Sequence, residues 1–418
     1  SRKCALGAAL TGFLAPLFAW AAPLTLEEAV RLALARNERA RIATERVIAA
    51  QARADRARTF FFPDVTLIGT YTPTTTRYPR DSSTALQMTL FDGRFFPLYR
   101  AAARDAEATL LESADERRLI AFEAAGAYLV TLSAAQVSEA AKRRQSLARE
   151  TREDAEVRFK AGLVSSNDVT RATLEMATAD QAATRAAGDA QVAALQLSYL
   201  LDAPIELPLA PVDGNIPESL SPDLDVESLV RRAVEHRPDL AASLKRVEAA
   251  EAAAEEPLWR WLPAITATGR YVLAEPGVPT VAEPWSATLA LTWFLFDGGE
   301  RFAERAERSA LSRIAALNRD ATARRVALDV RNARVALEIA EAAVRQAQVG
   351  AQVAHKNAGE TEVLYRQGLA RAIEVADANL RLFEAEVTLT REYYAKALAW
   401  LDLRAALGQD PLGREAYP

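Results

Sequence analysis

Leu24 to Tyr71 reads LTLEEAVRLALARNERAR…FFFPDVTLIGTY, and Leu224 to Tyr271 reads LDVESLVRRAVEHRPDLA…WRWLPAITATGRY. The two stretches align at an offset of 200 residues, with Pro63 falling on Pro263, Gly69 on Gly269 and Tyr71 on Tyr271. Working outward, LFDG (Leu90–Gly93) returns as LFDGG (Leu295–Gly299). FKAGLVSSNDV (Phe159–Val169) returns as YRQGLARAIEV (Tyr365–Val375), now at an offset of 206. A repeat of this length is half of a fold, not a solenoid unit. The function must be one that two similar halves build together.

Within the first half, Leu26 to Phe61 is an Ala/Arg/Glu-rich helix, opened by Thr25 and Glu28 in capping-box spacing. Pro63 ends it. Val65, Leu67, Gly69 and Tyr71 then alternate with Thr66, Ile68, Thr70 and Thr72, the period of a strand. A turn region, Pro73–Ser83, leads to a return strand over Thr84–Phe91, where Leu86, Met88 and Leu90 oppose Ala85, Gln87 and Thr89. From Arg94 to Lys160 there is no proline after Pro97 and only one glycine, Gly126. This predicts a helix of about 67 residues, or ~100 Å at 1.5 Å per residue. Gly162 ends it, and a second helix returns from about Asn167 to Leu201.

The second half repeats the order. A helix over Val226–Trp261 precedes strands at Ala264–Leu273 and Trp285–Phe296, a long helix from about Glu300 to Arg366 and a final helix from about Ala372 to Leu407. The expected organisation is a first repeat over 23–202 (hairpin 63–91, long helix 94–161, return helix 167–201) and a linker over 203–225, which holds five prolines. A second repeat covers 226–408 (hairpin 263–296, long helix 300–366, return helix 372–407), with a tail over 409–418.

The first 22 residues read as an export signal: basic Arg2 and Lys3, apolar Ala5–Phe18, and the small-x-small site Ala19-Trp20-Ala21. An uncleaved anchor is the alternative, and the segment is short for one. The only cysteine, Cys4, lies inside this segment. The processed chain is therefore expected to have no disulfide, thiolate metal site or cysteine nucleophile. Net charge is −5, with Lys and Arg scattered along the helices, a pattern that argues against nucleic acid. No later stretch reads as a run of about 18 apolar residues, the mark of a membrane helix.

Each half thus has one hairpin with an apolar face and a Thr/Ser-rich face. Such hairpins pack on the helices of a soluble protein or span an outer membrane, where strands of about 9–11 residues suffice. Two observations weigh against the first reading. Neither half has further strands to build a soluble sheet, and the helices are far too long to cover one compactly. Aromatic residues gather where helix meets strand: Phe60, Phe61 and Phe62, then Trp259 and Trp261. Trp293, Phe294 and Phe296 end the last strand. With Trp285, these are the expected interfacial belt. Four strands close no barrel, so closure needs several chains.

With its long helix pairs, its two hairpins, the LFDG strand ends and the tips RFKAGLVSSNDV and LYRQGLARAIEV, the chain resembles the outer membrane efflux protein family, the TolC-like exit ducts. The resemblance runs from about Leu24 to Gly408. It implies a mainly α fold with a small membrane β part, assembled as a homotrimer. Three chains, each with four strands and four helix columns, would give a twelve-stranded β-barrel continued by a twelve-helix α-barrel. It implies outer-membrane lipid, a periplasmic adaptor (membrane fusion) protein and an inner-membrane pump of RND, ABC or MFS type as partners. It implies export by a tripartite efflux or type I secretion system, and no cofactor. Pro63 and Pro263 match the family's helix-to-strand swivel.

The family closes its tunnel at the tip turns, here Gly162-Leu163 and Gly368-Leu369. Glu374 and Asp377 fall on its paired acidic positions, Tyr365 on its gate tyrosine, and Asp168 is the first-half acid aligned with Glu374. Ala370 stands where the gate arginine would be, leaving Arg366 or Arg371 as candidate counter-charges. Glu374 and Asp377 are also i,i+3 on one helix face. In a trimer whose tunnel that face lined, they would form a ring of carboxylates that attracts cations.

No enzyme is visible. His236 and His355 have no second ligand or triad partner at useful spacing, no metal site is read, and the Gly298–Gly299 pair belongs to a strand end instead of a phosphate loop. The alternative from another class is a periplasmic or secreted structural coiled coil, which has no need of strands bearing Trp and Leu on one face.

Overall fold

A computed structural model describes residues 23–71, 80–212, 225–272 and 283–412. The expected signal segment with Cys4, both hairpin tips, most of the linker and the end of the tail lie outside the described residues. The fold is mainly helical. In chain order, α1 (Leu26–Arg36) and α2 (Glu38–Arg58) lead into β1 (Asp64–Tyr71) and β2 (Arg80–Phe91), then α3 (Phe95–Lys160) and α4 (Ser166–Leu201). The second half follows as α5 (Val226–His236), α6 (Pro238–Trp259), β3 (Ala264–Val272), β4 (Trp285–Thr292), α7 (Glu300–Arg366) and α8 (Ala372–Ala406).

The expected capping box is present: the Glu28 amide donates to Thr25 Oγ1 at 3.2 Å, and the Thr25 amide to Glu28 Oε2 at 3.3 Å. The opening helix of each half is not continuous, however. In the first half Asn37 interrupts it with extended backbone, its side chain accepting from the Arg39 amide and donating to the Leu200 carbonyl. In the second half the break falls at Arg237, again 200 residues on, because Pro238 pushes the preceding residue out of the helical region. A further proline, Pro257, sits inside α6. It leaves the Ala253 carbonyl without its helical donor, and Arg308 of α7 fills the vacancy at 2.9 Å.

α3 and α7, 66 and 67 residues long, run the whole length of the helical part. The shorter helices stack end to end beside them. Toward the sheet the rods lie in the order α2, α3, α6, α7; toward the far end, α4, α3, α8, α7. Buried alanines on α4 recur every seven residues at Ala172, Ala179, Ala186 and Ala193, with Ala183, Ala190 and Leu197 interleaved. On α3, Ala141, Ala148 and Ala155 do the same. This spacing is that of a left-handed coiled coil, and the small side chains let the rods approach closely.

One stretch of α3 departs from the reading that no apolar window long enough for a membrane helix exists: by length and composition, α3 contains one. The fold puts it to another use. Ile120, Ala124, Tyr128 and Leu132 form the main core with Val30 and Ala33 of α1, Leu197 and Leu201 of α4, and Leu401 of α8. The hydroxyl of the buried Tyr128 lies 2.7 and 2.6 Å from the Leu24 and Ala210 carbonyls, and its single proton is donated to one of them at a time. Burial pushes its pKa up to about 12. The expected linker is in part structural, since Ile205, Leu209 and Val212 pack on this core, as does Leu412 from the expected tail.

The two hairpins join into one antiparallel sheet in the order β1-β2-β3-β4. Opposed residues alternate cleanly between two faces. Val65, Leu86, Gly269 and Ala287 line up on one, as do Met88, Ala267 and Leu289; Gln87, Thr268 and Thr288 line up on the other. Among the described residues no helix covers the apolar face: Val65 is 72% and Leu289 69% exposed. β4 ends at Thr292, so Trp293, Phe294 and Phe296 lie past the strand and not within it.

Candidate functional site

Two regions hold the expected site residues: the sheet with its junction to the helices, and the turns at the opposite end.

At the junction, the LFDG motif makes a cap. Asp92 accepts from the Arg94 amide at 3.0 Å and pairs with the Arg94 guanidinium at 2.6 Å; Asp297 accepts from the amides of Gly299 and Arg301. Each aspartate thereby satisfies open amides where a long helix begins. Gly93 is required by space, since a Cβ there would meet the Trp259 carbonyl oxygen at 2.9 Å. Pro63 and Pro263 stand between helix end and strand start.

The expected belt divides in two. Phe61 packs against Phe95, Phe96 and Tyr99, and Trp259 against Phe96. Trp261 stacks on Arg301, 3.9 Å from the ring centroid, and its carbonyl accepts from the Trp293 indole at 3.1 Å. These four aromatics are at the helix end of the strands. Trp285 is at the other end, opposite Tyr271. Eight residues separate Trp285 from Trp293, about 26 Å of strand at 3.3 Å per residue, or about 20 Å of height at barrel tilt. Two aromatic levels therefore flank an apolar band.

At the far end, the two turns are superimposable in their bonding. Gly162 (φ 74°) and Gly368 (φ 77°) hold left-handed backbone. The Leu163 amide donates to the Arg158 carbonyl and the Leu369 amide to the Leu364 carbonyl, each at 2.9 Å. This is a Schellman stop, which favours glycine at that position. Leu163 and Leu369 are left pointing into solvent.

Asp168 caps α4: its Oδ2 accepts from the Ser165 amide at 3.0 Å and the Ser165 hydroxyl at 2.8 Å. Those bonds, then the charges of Arg171 and Arg371, hold its carboxyl below the usual range. A depressed pKa stabilises the cap above the ordinary carboxylate range and the benefit is lost as pH falls through the lowered value. Tyr365 is buried against Ala372 and Val375. Its hydroxyl makes no hydrogen bond. Burial, with the nearby Asp154 and more distant Asp168 carboxylates, raises its pKa.

The cation that meets Tyr365 is neither of the two expected arginines. The Arg158 guanidinium lies over the Tyr365 ring, 4.4 Å from the centroid, and reaches the Tyr365 carbonyl at 3.4 Å. Its Nε is fixed by Asp154 at 2.8 Å. Arg158 sits in the tip stretch RFKAGL, one residue before the position aligned with Tyr365, so the signal was present. Of the two expected arginines, Arg371 stands in the field of Asp168. Arg366 does not join the cluster: it is exposed and paired with Glu362 on its own helix. Glu374 and Asp377 lie apart from the cluster on the exposed side of α8, and Asp377 pairs with Arg381 at 3.8 Å.

The model of the family described as outer membrane efflux protein matches residues 29–202 and again 229–409. No curated protein sequence matches the chain. Among solved structures, the open-state MtrE outer membrane channel of Neisseria gonorrhoeae is similar at 20% identity and TM-score 0.79, over 94% of this chain and 91% of that one. The outer membrane protein VceC of Vibrio cholerae shares 19% identity at TM-score 0.76, over 92% and 96%. The CmeC outer membrane channel of Campylobacter jejuni shares 17% at 0.77, over 95% and 90%. At these identities the structures establish the fold, while the family match covers both repeats. An outer-membrane protein with a helical part reaching into the periplasm, the chain belongs to the outer membrane efflux protein family.

Proposed function

We propose that the chain is one third of a homotrimeric exit duct, which passes substrates from an inner-membrane pump of RND, ABC or MFS type across the periplasm and outer membrane. A periplasmic adaptor protein would join duct to pump in a tripartite efflux or type I secretion system. The observation that carries this reading is the sheet, which among the described residues has four strands, two unpaired edges and an apolar face with nothing over it. Unpaired strand edges are not tolerated in lipid. Three copies supply twelve strands, enough to close a barrel. The helical rods end in matching open edges. α7 bears Val335, Ile339, Val349 and Val353 on its exposed side, and α4 bears Val192, Leu195 and Tyr199, both at helical spacing. A fibrous scaffold explains the rods but not the sheet.

In this reading Gly162 and Gly368 lie deep in the periplasm, and Thr75 and Gly277, outside the described residues, lie at the cell exterior. With Cys4 replaced, cysteine at Thr75 is expected to react with an impermeant maleimide on intact cells and cysteine at Gly162 is not. Equal labelling of both refutes the topology.

The tip is the gate: Arg158, Tyr365, Asp168 and Arg371 hold it, and Glu374 and Asp377 line its mouth as a ring of carboxylates. Replacing both carboxylates by alanine in all protomers is expected to lower cation preference and abolish block by multivalent cations from the periplasmic side in planar bilayers. Unchanged selectivity and block place these side chains outside the constriction.

A further inference from the structure

The chain records internally how its two free strand edges fit together. Adding 200 to β1 and 205 to β2 turns the pair Asp64–Gln87 into Ala264–Thr292, which is the observed pairing of β3 with β4. The offsets of the sequence repeat therefore carry one hairpin's backbone register onto the other's. The remaining pairing, β2 with β3, joins the first hairpin to the second. Its transform joins β4 to a β1. That β1 is not the chain's own, which lies at the opposite edge of a four-stranded sheet too small to close. It belongs to a second copy.

We propose, resting on the trimeric reading above, that β4 pairs antiparallel with the partner's β1 in the register given by this transform. Thr84–Tyr271, Leu86–Gly269 and Met88–Ala267 become Leu289, Leu291 and Trp293 opposite the partner's Tyr71, Gly69 and Leu67. Thr89–Thr266 becomes Phe294 opposite the partner's Thr66, and, across a bulge at Leu295, Phe91–Ile265 becomes Phe296 opposite the partner's Val65. Pairing extends β4 through Trp293–Phe296. Their counterparts in the repeat, Met88–Phe91, are strand in β2, where β3 is alongside, whereas Trp293–Phe296 lie open with no described strand beside them; Phe296 is 85% exposed.

Two independent features agree. The register keeps Leu291 and Trp293 on the face of Gly69 and Leu67, whereas a slip of one residue would put Trp293 opposite the Thr-rich face. The helices agree as well. Lys245 of α6 pairs with Glu107 of α3 at 3.2 Å. Subtracting 200 and adding 206, the helix offset set by the extra glycine of LFDGG, gives Glu45 and Arg313. The pair returns with its signs exchanged, on α2 and α7, the two rods at the open edges.

Slips of two residues preserve the faces, so cross-linking must decide. In a Cys4→Ser background, Thr66→Cys is combined singly with Phe294→Cys, Thr292→Cys or Phe296→Cys. Directly opposed residues of an antiparallel pair lie within disulfide reach. Oxidised membranes run without reductant are expected to show the Thr66/Phe294 pair linked between chains at several-fold higher yield than either alternative. Highest yield from Thr292 or Phe296, or no link from any pair in an intact trimer, overturns the register and leaves the trimer standing. A monomer overturns both. Hydrogen exchange on the unsubstituted protein guards against misfolded variants: amides of Trp293–Phe296 are expected to be protected, and exchange at free-loop rates contradicts the strand extension.

Discussion

Replacing Leu289 by arginine is expected to prevent stable insertion, while Thr288→Arg, one residue away, yields normal amounts of protein in the outer membrane. Leu289 lies opposite Ala267 on the apolar face, about midway between the Trp285 and Trp293 levels. A charge at the midplane of a lipid-facing strand costs about 2–4 kcal/mol. Three copies per assembly bring the total to about 6–12 kcal/mol, comparable to the whole stability of many domains. Thr288 lies opposite Thr268 on the polar face, where a charge meets the water-filled lumen. Heat-stable trimer in outer-membrane fractions measures the difference. Equal loss from both substitutions would mean that the two faces do not separate lipid from lumen.

Replacing Arg158 by methionine is expected to open the tip and raise single-channel conductance. Methionine keeps much of the side-chain volume and removes the charge. A cation over an aromatic ring contributes from about 0.5 kcal/mol at exposed sites to about 2 kcal/mol when desolvated, and Arg158 and Tyr365 are both largely buried. A loss of about 1–2 kcal/mol shifts a two-state equilibrium by roughly 5–30-fold, and it recurs in every protomer. Tyr365→Phe alone should do little, because the hydroxyl makes no hydrogen bond and the ring remains. Combined with Asp168→Ala it also removes the cap on α4 and should loosen the tip further. A large effect from Tyr365→Phe and none from Arg158→Met would show that the hydroxyl, not the ring, is the latch.

The fold was legible because its signals are periodic and doubled. The strands show period two, the long helices hold no proline beyond the first turn, and the offsets of 200, 205 and 206 locate each element twice. What escaped has local causes. The break at Asn37 depends on a side chain that caps in both directions, reaching Leu200 across 163 residues. Its counterpart at Arg237 was announced by Pro238 and could have been carried back by the repeat. Trp293–Phe296 has a strand pattern but no strand beside it in one chain. At the tip, the cation that meets Tyr365 escaped as well. The expected counter-charges, Arg366 and Arg371, lie at the end of α7 and just before α8, whereas the ring of Tyr365 is met from α3 by Arg158. Contacts between distant helices leave no periodic trace in either sequence.

The most direct test of the duct is the native mass of the protein extracted from outer membranes in mild detergent. Three copies of the chain in one particle, stable only while detergent covers the apolar face, is the expected result. A monodisperse monomer, soluble without detergent and retaining its full helical content, would contradict it.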